Sequence, residues 1–335
     1  MEVHCVSRRF GGGRSLFGGA KPAVHAVQGV SFEVEKGETL GIVGESGCGK
    51  STLARLLVGL QRPSEGEVLL DGARVHDEAA FDRRALARRV QYVFQDPLSS
   101  LNPRKTIRQI LEAPLVHLRA MPAAQRRTRL AEIMDAVRLR PEFLERYPHE
   151  FSGGQAQRIG IARALAAEPD ILVLDEPVSA LDVSVQAQVL NLLDELKARL
   201  GLTYVFISHD LAVVEAISDR VMVMYFGRVV EQGPAEVLFC HPLHPYTRLL
   251  LSSAPVPGRR GIGAEPQIAE LPDPLAPPPG CAFAARCPHA SDVCRQVTPP
   301  VERDGETAYA CHHPRKDDPW PRVPGPEAQA ARPEV

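Results

Sequence analysis

The chain has no long hydrophobic run, few aromatic residues and almost no net charge, and each shortage removes a class of protein. None of its apolar segments approaches the ~18 residues of a membrane-spanning helix. The opening MEVHCVSRRFGGG has basic residues but no apolar segment behind them, so it does not read as a secretory signal. A formal net charge of −2 supplies no general field for holding nucleic acid. There is no internal repeat and only one tryptophan, Trp320. A cytosolic location is expected, where thiols stay reduced, so the four cysteines clustered near the end of the chain are expected to bind metal in preference to forming disulfides.

What is present is an ordinary globular composition, 44% hydrophobic and 24% charged over 335 residues, enough for about two domains. From about residue 32 to residue 253, short runs rich in Val, Ile and Leu alternate with stretches of helical periodicity. That is the pattern of an α/β domain on a largely parallel sheet. Two later stretches, PDPLAPPP at 272–279 and PRKDDPWPRVPGPEAQAARPEV from Pro314, hold too much proline for helix or central strand. The first belongs to an expected linker over 254–280, the second is expected to be a disordered tail over 314–335, and Trp320 is read as unstructured within it. Between them, residues 281–313 form a small Cys-rich C-terminal region with Cys281, Cys287, Cys294 and Cys311.

The segment GETLGIVGESGCGKSTLARLLVGL carries the first chemical signal. An apolar strand at 39–43 leads into Gly44, Glu45, Ser46, Gly47, Cys48 and Gly49, then a helix from Lys50 in which Leu53, Leu56, Leu57 and Leu60 recur at helical spacing. This is G-x-x-x-x-G-K-[ST] in a strand-loop-helix setting. Backbone N–H groups surround phosphate there, Lys50 reaches the β- and γ-phosphates, and Ser51 ligates magnesium beside Thr52. A second strand, 171–174, ends in Asp175 and Glu176 at the mouth of the sheet. Asp175 is expected to hold magnesium through water and Glu176 to polarise the attacking water. In HEFSGGQAQ, Ser152 can cap a helix whose first turn exposes the N–H groups of Gly153, Gly154 and Gln155, an end that suits an anion.

Taken in order, these elements resemble the ATP-binding subunit of an ABC transporter. The matching motifs are the Walker A loop GESGCGKST at 44–52, the Q-loop glutamine Gln95 in VFQDP, the signature SGGQ at 152–155, Walker B ILVLDE at 171–176, the D-loop SALD at 179–182 and the switch histidine His209 in FISHD. The resemblance implies a P-loop ABC-type nucleotide-binding domain over 1–253 with a helical subdomain at about 96–167. It also implies an ATPase in which two cassettes stack head to tail, each ATP lying between one chain's Walker A loop and the other's SGGQ. Glu176, His209, Gln95 and Lys50 are then catalytic, and Gln95 joins Ser51 and Asp175 around magnesium. Adenine needs a stacking surface, for which Phe10 is the first candidate and Phe17 the second.

Further stretches, YVFQDPLSSLNPR, YPHEFSGGQ, DEPVSALDVSVQAQVLNLL and HPYT, resemble the oligopeptide and dipeptide importer branch, and the segment GGGRSLFGGAKP resembles its F-type ATPase. Ala156 departs from the arginine usual after SGGQ in that branch. The implied partners are two permease membrane subunits, a second ABC ATPase in a heterodimer and an extracytoplasmic solute-binding protein. The implied place is the cytoplasmic face of the cell membrane, held peripherally, with no nucleic acid bound. A soluble ABC-type ATPase acting on DNA or ribosomes is the competing class. Nickel chelates stay open beside peptides as cargo.

The cysteines are separated by five, six and sixteen residues, without the short C-x-x-C of most structural zinc sites. Resemblance to importer ATPases with this tail favours a 4Fe-4S cluster on Cys281, Cys287, Cys294 and Cys311 as a fold-ordering group. Zinc, with His289, His312 or His313 as substitute ligands, and unligated thiols are the alternatives.

Overall fold

A computed structural model describes residues 1–12, 22–77, 82–253, 272–318 and 320. The chain opens with β1 (Glu2–Gly11), β2 (Ala23–Glu33), β3 (Thr39–Val43) and α1 (Lys50–Leu57). It continues with β4 (Glu65–Leu70), β5 (Ala73–Arg74), α2 (Arg83–Arg89) and β6 (Val90–Val93). A helical stretch follows: α3 (Ile107–His117), α4 (Ala123–Ala136) and α5 (Gly153–Leu165). The chain then returns to strands with β7 (Ile171–Asp175), α6 (Val183–Leu200), β8 (Thr203–Ile207), α7 (Leu211–Ile217), β9 (Arg220–Tyr225) and β10 (Arg228–Pro234). The last elements are α8 (Ala235–Cys240), α9 (Pro245–Ser253), α10 (Asp292–Gln296), β11 (Glu302–Asp304) and β12 (Thr307–Tyr309).

Among the described residues the main sheet runs β11-β12-β10-β9-β3-β8-β7-β6. The five strands from β9 to β6 are parallel and β10, β12 and β11 antiparallel. Strands β3, β7 and β8 are buried along their whole length, as apolar runs covered on both faces must be. Side chains alternate between two cores: Leu172 and Leu174 join the α3–α5 side, whereas Ile171 and Val173 join the α1 side. On the second side, α1 buries Leu53, Leu56 and Leu57 under a separate antiparallel sheet, β2-β1-β4-β5. Leu60 departs from the helical pattern expected of it: α1 ends at Leu57, and Leu60 is exposed.

Strand β3 lies between β8 and β9, parallel to both, and the carboxyl ends of these parallel strands form the edge where α/β sheets bind ligands. The segments after β3, β6, β7 and β8 all reach that edge. The Walker A, Q-loop, Walker B, D-loop and switch-histidine motifs sit in or beside those four segments, whereas the signature SGGQ starts α5.

The Cys-rich C-terminal region expected at 281–313 is tied to the cassette. Strand β12 pairs with β10, so the region is stitched into the main sheet, and Phe283 and Tyr309 are each only 1% exposed. Its order thus draws on the cassette's own sheet and core. The end is also more ordered than its proline content predicts. Arg315 N–H donates to the Leu243 carbonyl at 2.9 Å, Asp318 accepts from Arg248 and Arg315, and Trp320 packs on the core with the Arg248 guanidinium 5.5 Å from its ring. Residues 254–271 of the expected linker and residues 321–335 of the expected tail lie outside the described residues.

Glu231 on β10 is fully buried and accepts the N–H groups of Leu243 and His244, fixing the turn into α9. Burial pushes its carboxyl from 4.5 up to about 7. A raised folded-state pKa contributes stability that is full below about 4.5 and is lost as pH rises through about 7. Thermal melts should therefore show the difference between Glu231→Gln and the parent shifting in favour of the variant between pH 5 and pH 7.5, by roughly a few degrees. A pH-independent difference would contradict the assignment.

Candidate nucleotide site

The loop from Gly44 to Gly49 wraps the carboxyl end of β3 and enters α1 through Gly49, at φ 106. A side chain there is barred by backbone on the facing strand: a Cβ on Gly49 would lie 2.2 Å from the Ala26 carbonyl oxygen. Gly44 is under the same constraint from the other side, 2.2 Å from the Met224 carbonyl oxygen. The Lys50 ammonium folds over the loop and donates to the carbonyls of Gly44 at 2.7 Å and Glu45 at 2.9 Å. Cys48 is buried beside it, and burial pushes the thiol up against the pull of Lys50.

An open cavity of about 460 Å³ lies over this loop. Of the residues expected at the site, Ser46, Gly47, Gly49, Lys50, Ser51, Thr52, Gln95, Glu176 and His209 line it. Ser51 hydroxyl meets Asp175 Oδ1 at 3.2 Å, so Asp175, itself buried, stands directly behind the lining. Glu176 Oε2 accepts from Gln95 Nε2 at 2.9 Å and lies 3.2 Å from His209 Nδ1. Segments after three parallel strands therefore meet on one carboxylate. Glu176 adopts φ 48, an uncommon conformation for a side chain of its size, with its N–H donated to the Ile207 carbonyl at 2.9 Å. The strained backbone sits at the residue expected to do chemistry.

Other expected residues are placed elsewhere. Gly44, Glu45 and Cys48 shape the loop without lining the cavity. Phe10 pairs with Val24 across β1 and β2 and is one strand removed from the lining, its ring 4.8 Å from the Arg8 guanidinium; Phe17 lies outside the described residues. Ser152 caps α5 in a reciprocal box with Gln155, as its sequence position predicts, yet none of residues 152–155 reaches this cavity. The signature end packs instead on the D-loop and α6, where a Cβ on Gly154 would meet Val185 Cγ1 at 2.4 Å.

Sequence reasoning missed part of the wall. Val24, His25 and Ala26 from β2, Phe226 and Gly227 from the β9–β10 turn, and Pro274 complete the lining, and His25 N–H donates to the Pro274 carbonyl at 3.2 Å. These residues act through backbone shape and have no side-chain signature. Tyr92 was also silent in the sequence: its hydroxyl donates to Asp175 Oδ2, and burial raises its pKa well above the usual phenol range, so it stays a donor.

The four C-terminal cysteines, with His244, His289, His312 and His313, line one small cavity. Burial pushes up the thiols of Cys281 and Cys287, and that of Cys311 to about 12, with the other cysteines adding to each rise. All are free. Among the described residues, however, no group of three or more His, Cys, Asp or Glu side chains is arranged to hold a metal ion. The ligand set expected from the sequence is thus found as a shared cavity and not as a coordinating group. A single ion needs its donors drawn within about 2.3 Å of one centre, and these thiols are not gathered that way.

Comparison with known proteins matches residues 27–179 to the family described as ABC transporter and residues 230–294 to the oligopeptide/dipeptide transporter C-terminal region. The oligopeptide transport ATP-binding protein AppF of Bacillus subtilis is 48% identical over 317 residues, covering 93% of this chain and 96% of its own. The dipeptide transport ATP-binding protein DppF of Escherichia coli is 50% identical over 298 residues, covering 88% and 89%. Among solved structures, the dimeric post-hydrolysis state of the ATP-binding cassette MJ0796 with ADP and phosphate aligns at TM-score 0.61 and 30% identity, covering 70% of this chain and 98% of that one.

The backbone constraint at Gly49 is directly testable. Gly49→Ala should weaken ATP binding at least about tenfold in an equilibrium titration while circular dichroism stays native, because the added carbon forces the loop away from Ala26. Wild-type affinity would show that the loop tolerates the shift.

Proposed function

Since the chain belongs to the ATP-binding subunits of ABC transporters, in their oligopeptide and dipeptide branch, we propose a function in which its named residues drive peptide import by hydrolysing ATP between two cassettes. The observation that carries this reading is the convergence of Gln95, Glu176 and His209 on one side of a cavity floored by Lys50 and Ser51. The relatives are peptide transport proteins, so the class of DNA- or ribosome-directed ATPases is set aside.

In this proposal the phosphates lie along the N–H groups of the Gly47–Ser51 turn and the N-terminus of α1, with Lys50 as the positive charge. Magnesium fits the Ser51 hydroxyl and the Asp175 carboxylate, which are already in contact and braced by Tyr92. When bound it neutralises phosphate charge. Glu176 takes the proton of the attacking water, oriented by Gln95, and His209 donates to the γ-phosphate. The base extends toward Val24 and Ala26, with Phe10 on the next strand as its aromatic neighbour.

Residues 152–155 do not reach the chain's own cavity, which supports a site completed by the SGGQ of a second cassette; the solved cassette MJ0796 is itself dimeric. The second cassette is proposed to be a different ATPase subunit, alongside two permeases and a solute-binding protein. Among the described residues no helix is long and apolar enough to cross a membrane, in keeping with peripheral attachment through those permeases, at the cytoplasmic face in this proposal.

The cysteine cavity is proposed to hold a 4Fe-4S cluster in preference to zinc. All four cysteines line the same small cavity, and a 4Fe-4S cluster takes four thiolate ligands. When bound, the group would add a further tie between the segments that carry the four cysteines.

Glu176→Gln should retain ATP binding and lose at least about a hundredfold in turnover, measured as steady-state phosphate release by the assembled transporter. Near-normal hydrolysis rejects the assignment. Protein purified without oxygen should be brown with about four irons per chain; colourless protein with stoichiometric zinc would replace the cluster.

A further inference from the structure

We propose that the C-terminal region braces the phosphate loop, with Arg286 acting as a positioning residue for ATP binding through Glu45. The proposal rests on the nucleotide-site reading above and assigns work to residues that the ATP motifs leave idle.

Glu45 is the second residue of the loop, yet its side chain leaves the cavity and pairs with Arg286 Nη1 at 2.8 Å. Both side chains are largely buried, 28% and 15% exposed, so water screens this pair less than a surface bridge. Arg286 is itself fixed. Its guanidinium lies 5.8 Å from the Tyr225 ring and 5.9 Å from that of Phe283, and it reaches the Tyr225 hydroxyl at 3.5 Å. Phe283 in turn seats edge-on against Tyr225 and packs on Tyr246 at 5.3 Å.

Tyr246, on α9, completes the grip by accepting the Glu45 N–H at 3.0 Å. One loop residue is therefore held at its backbone by α9 and at its carboxylate by the turn Ala284–Arg286. The effect reaches the phosphate-binding charge, because the Glu45 carbonyl accepts from Lys50 Nζ at 2.9 Å. A rotated Glu45 peptide would move that acceptor, and with it the resting place of Lys50. The turn that carries Arg286 also leads directly into Cys287, so the brace and the cysteine cavity are one structural element.

The test measures ATP dissociation constants and steady-state kinetics of the full-length chain and its variants, with melting temperatures alongside. Arg286→Ala and Glu45→Gln should each weaken ATP binding roughly three- to tenfold, and the double variant should be no weaker than the worse single, since both remove the same contact. Arg286→Lys should recover most of the affinity. In the assembled transporter, KM for ATP should rise while kcat at saturation stays within about twofold; a merely structural defect would lower the active fraction and kcat instead. Wild-type affinity in both single variants, or effects that add, would overturn the brace. Should Arg286→Ala fail to fold, Glu45→Gln and Arg286→Lys carry the same comparison. Lys50→Ala separates the two layers: loss of ATP there with silent Arg286 and Glu45 variants removes the brace alone, whereas wild-type binding by Lys50→Ala removes the nucleotide site and the brace with it.

Discussion

The site depends on how closely backbone approaches backbone around the phosphate loop. Gly44 passes against the Met224 carbonyl on β9 and Gly49 against the Ala26 carbonyl on β2, so the loop is confined between two strands that belong to different sheets. That confinement fixes the direction in which its N–H groups point, and a fixed set of donors costs little reorganisation when charge arrives. It also explains why two sheets are needed. The parallel sheet supplies the strand ends that bring Gln95, Asp175, Glu176 and His209 to one edge, while the smaller antiparallel sheet supplies the far wall, with Val24 to Ala26 in the lining.

The same geometry keeps the signature end apart from the cavity over Lys50. Helix α5 starts with a reciprocal cap at Ser152 and Gln155, leaving its first turn ready for an acceptor, and its glycines sit tight against Leu181 and Val185. Contacts between the signature end and the D-loop place both on a common surface away from the cavity over Lys50. In the proposed function this arrangement separates phosphate binding, over Lys50, from the signature end at Ser152, which a second cassette would bring to it.

How much of this could be read from the sequence follows from which residues speak through side-chain chemistry. The Walker A loop, the acids at the end of β7 and the cap at Ser152 were legible because glycine, lysine, carboxylate and hydroxyl at those spacings have few other uses. Strand β3 and the start of α1 fall where the apolar run and the loop predict them. Val24, Ala26, Gly227 and Pro274 were illegible, since they contribute shape and backbone and belong to segments far apart in the chain. The order of the C-terminal region was illegible for a related reason: its proline and low apolar content argue against an independent core, but Phe283 joins the cassette's core and Tyr309 pairs on β10 beside Glu231. The proline-rich end failed similarly at residues 314–318 and Trp320, where arginine contacts with carbonyls, Asp318 and an indole ring order a segment that composition alone leaves loose.

The addition of β12 to the main sheet has a consequence for how the chain avoids sticking to itself. Strand β10 would otherwise offer an unpaired row of N–H and C=O groups along Glu231 and Gln232, a surface onto which any extended segment could zip. The hairpin closes that row and moves the boundary out to β11, a three-residue strand reading Glu-Arg-Asp, exposed and charged at each position. A short charged edge is a poor template for further pairing. The last described strands are therefore a terminator for the sheet, and a chain cut short before residue 302 would end in a sticky seam rather than a finished side.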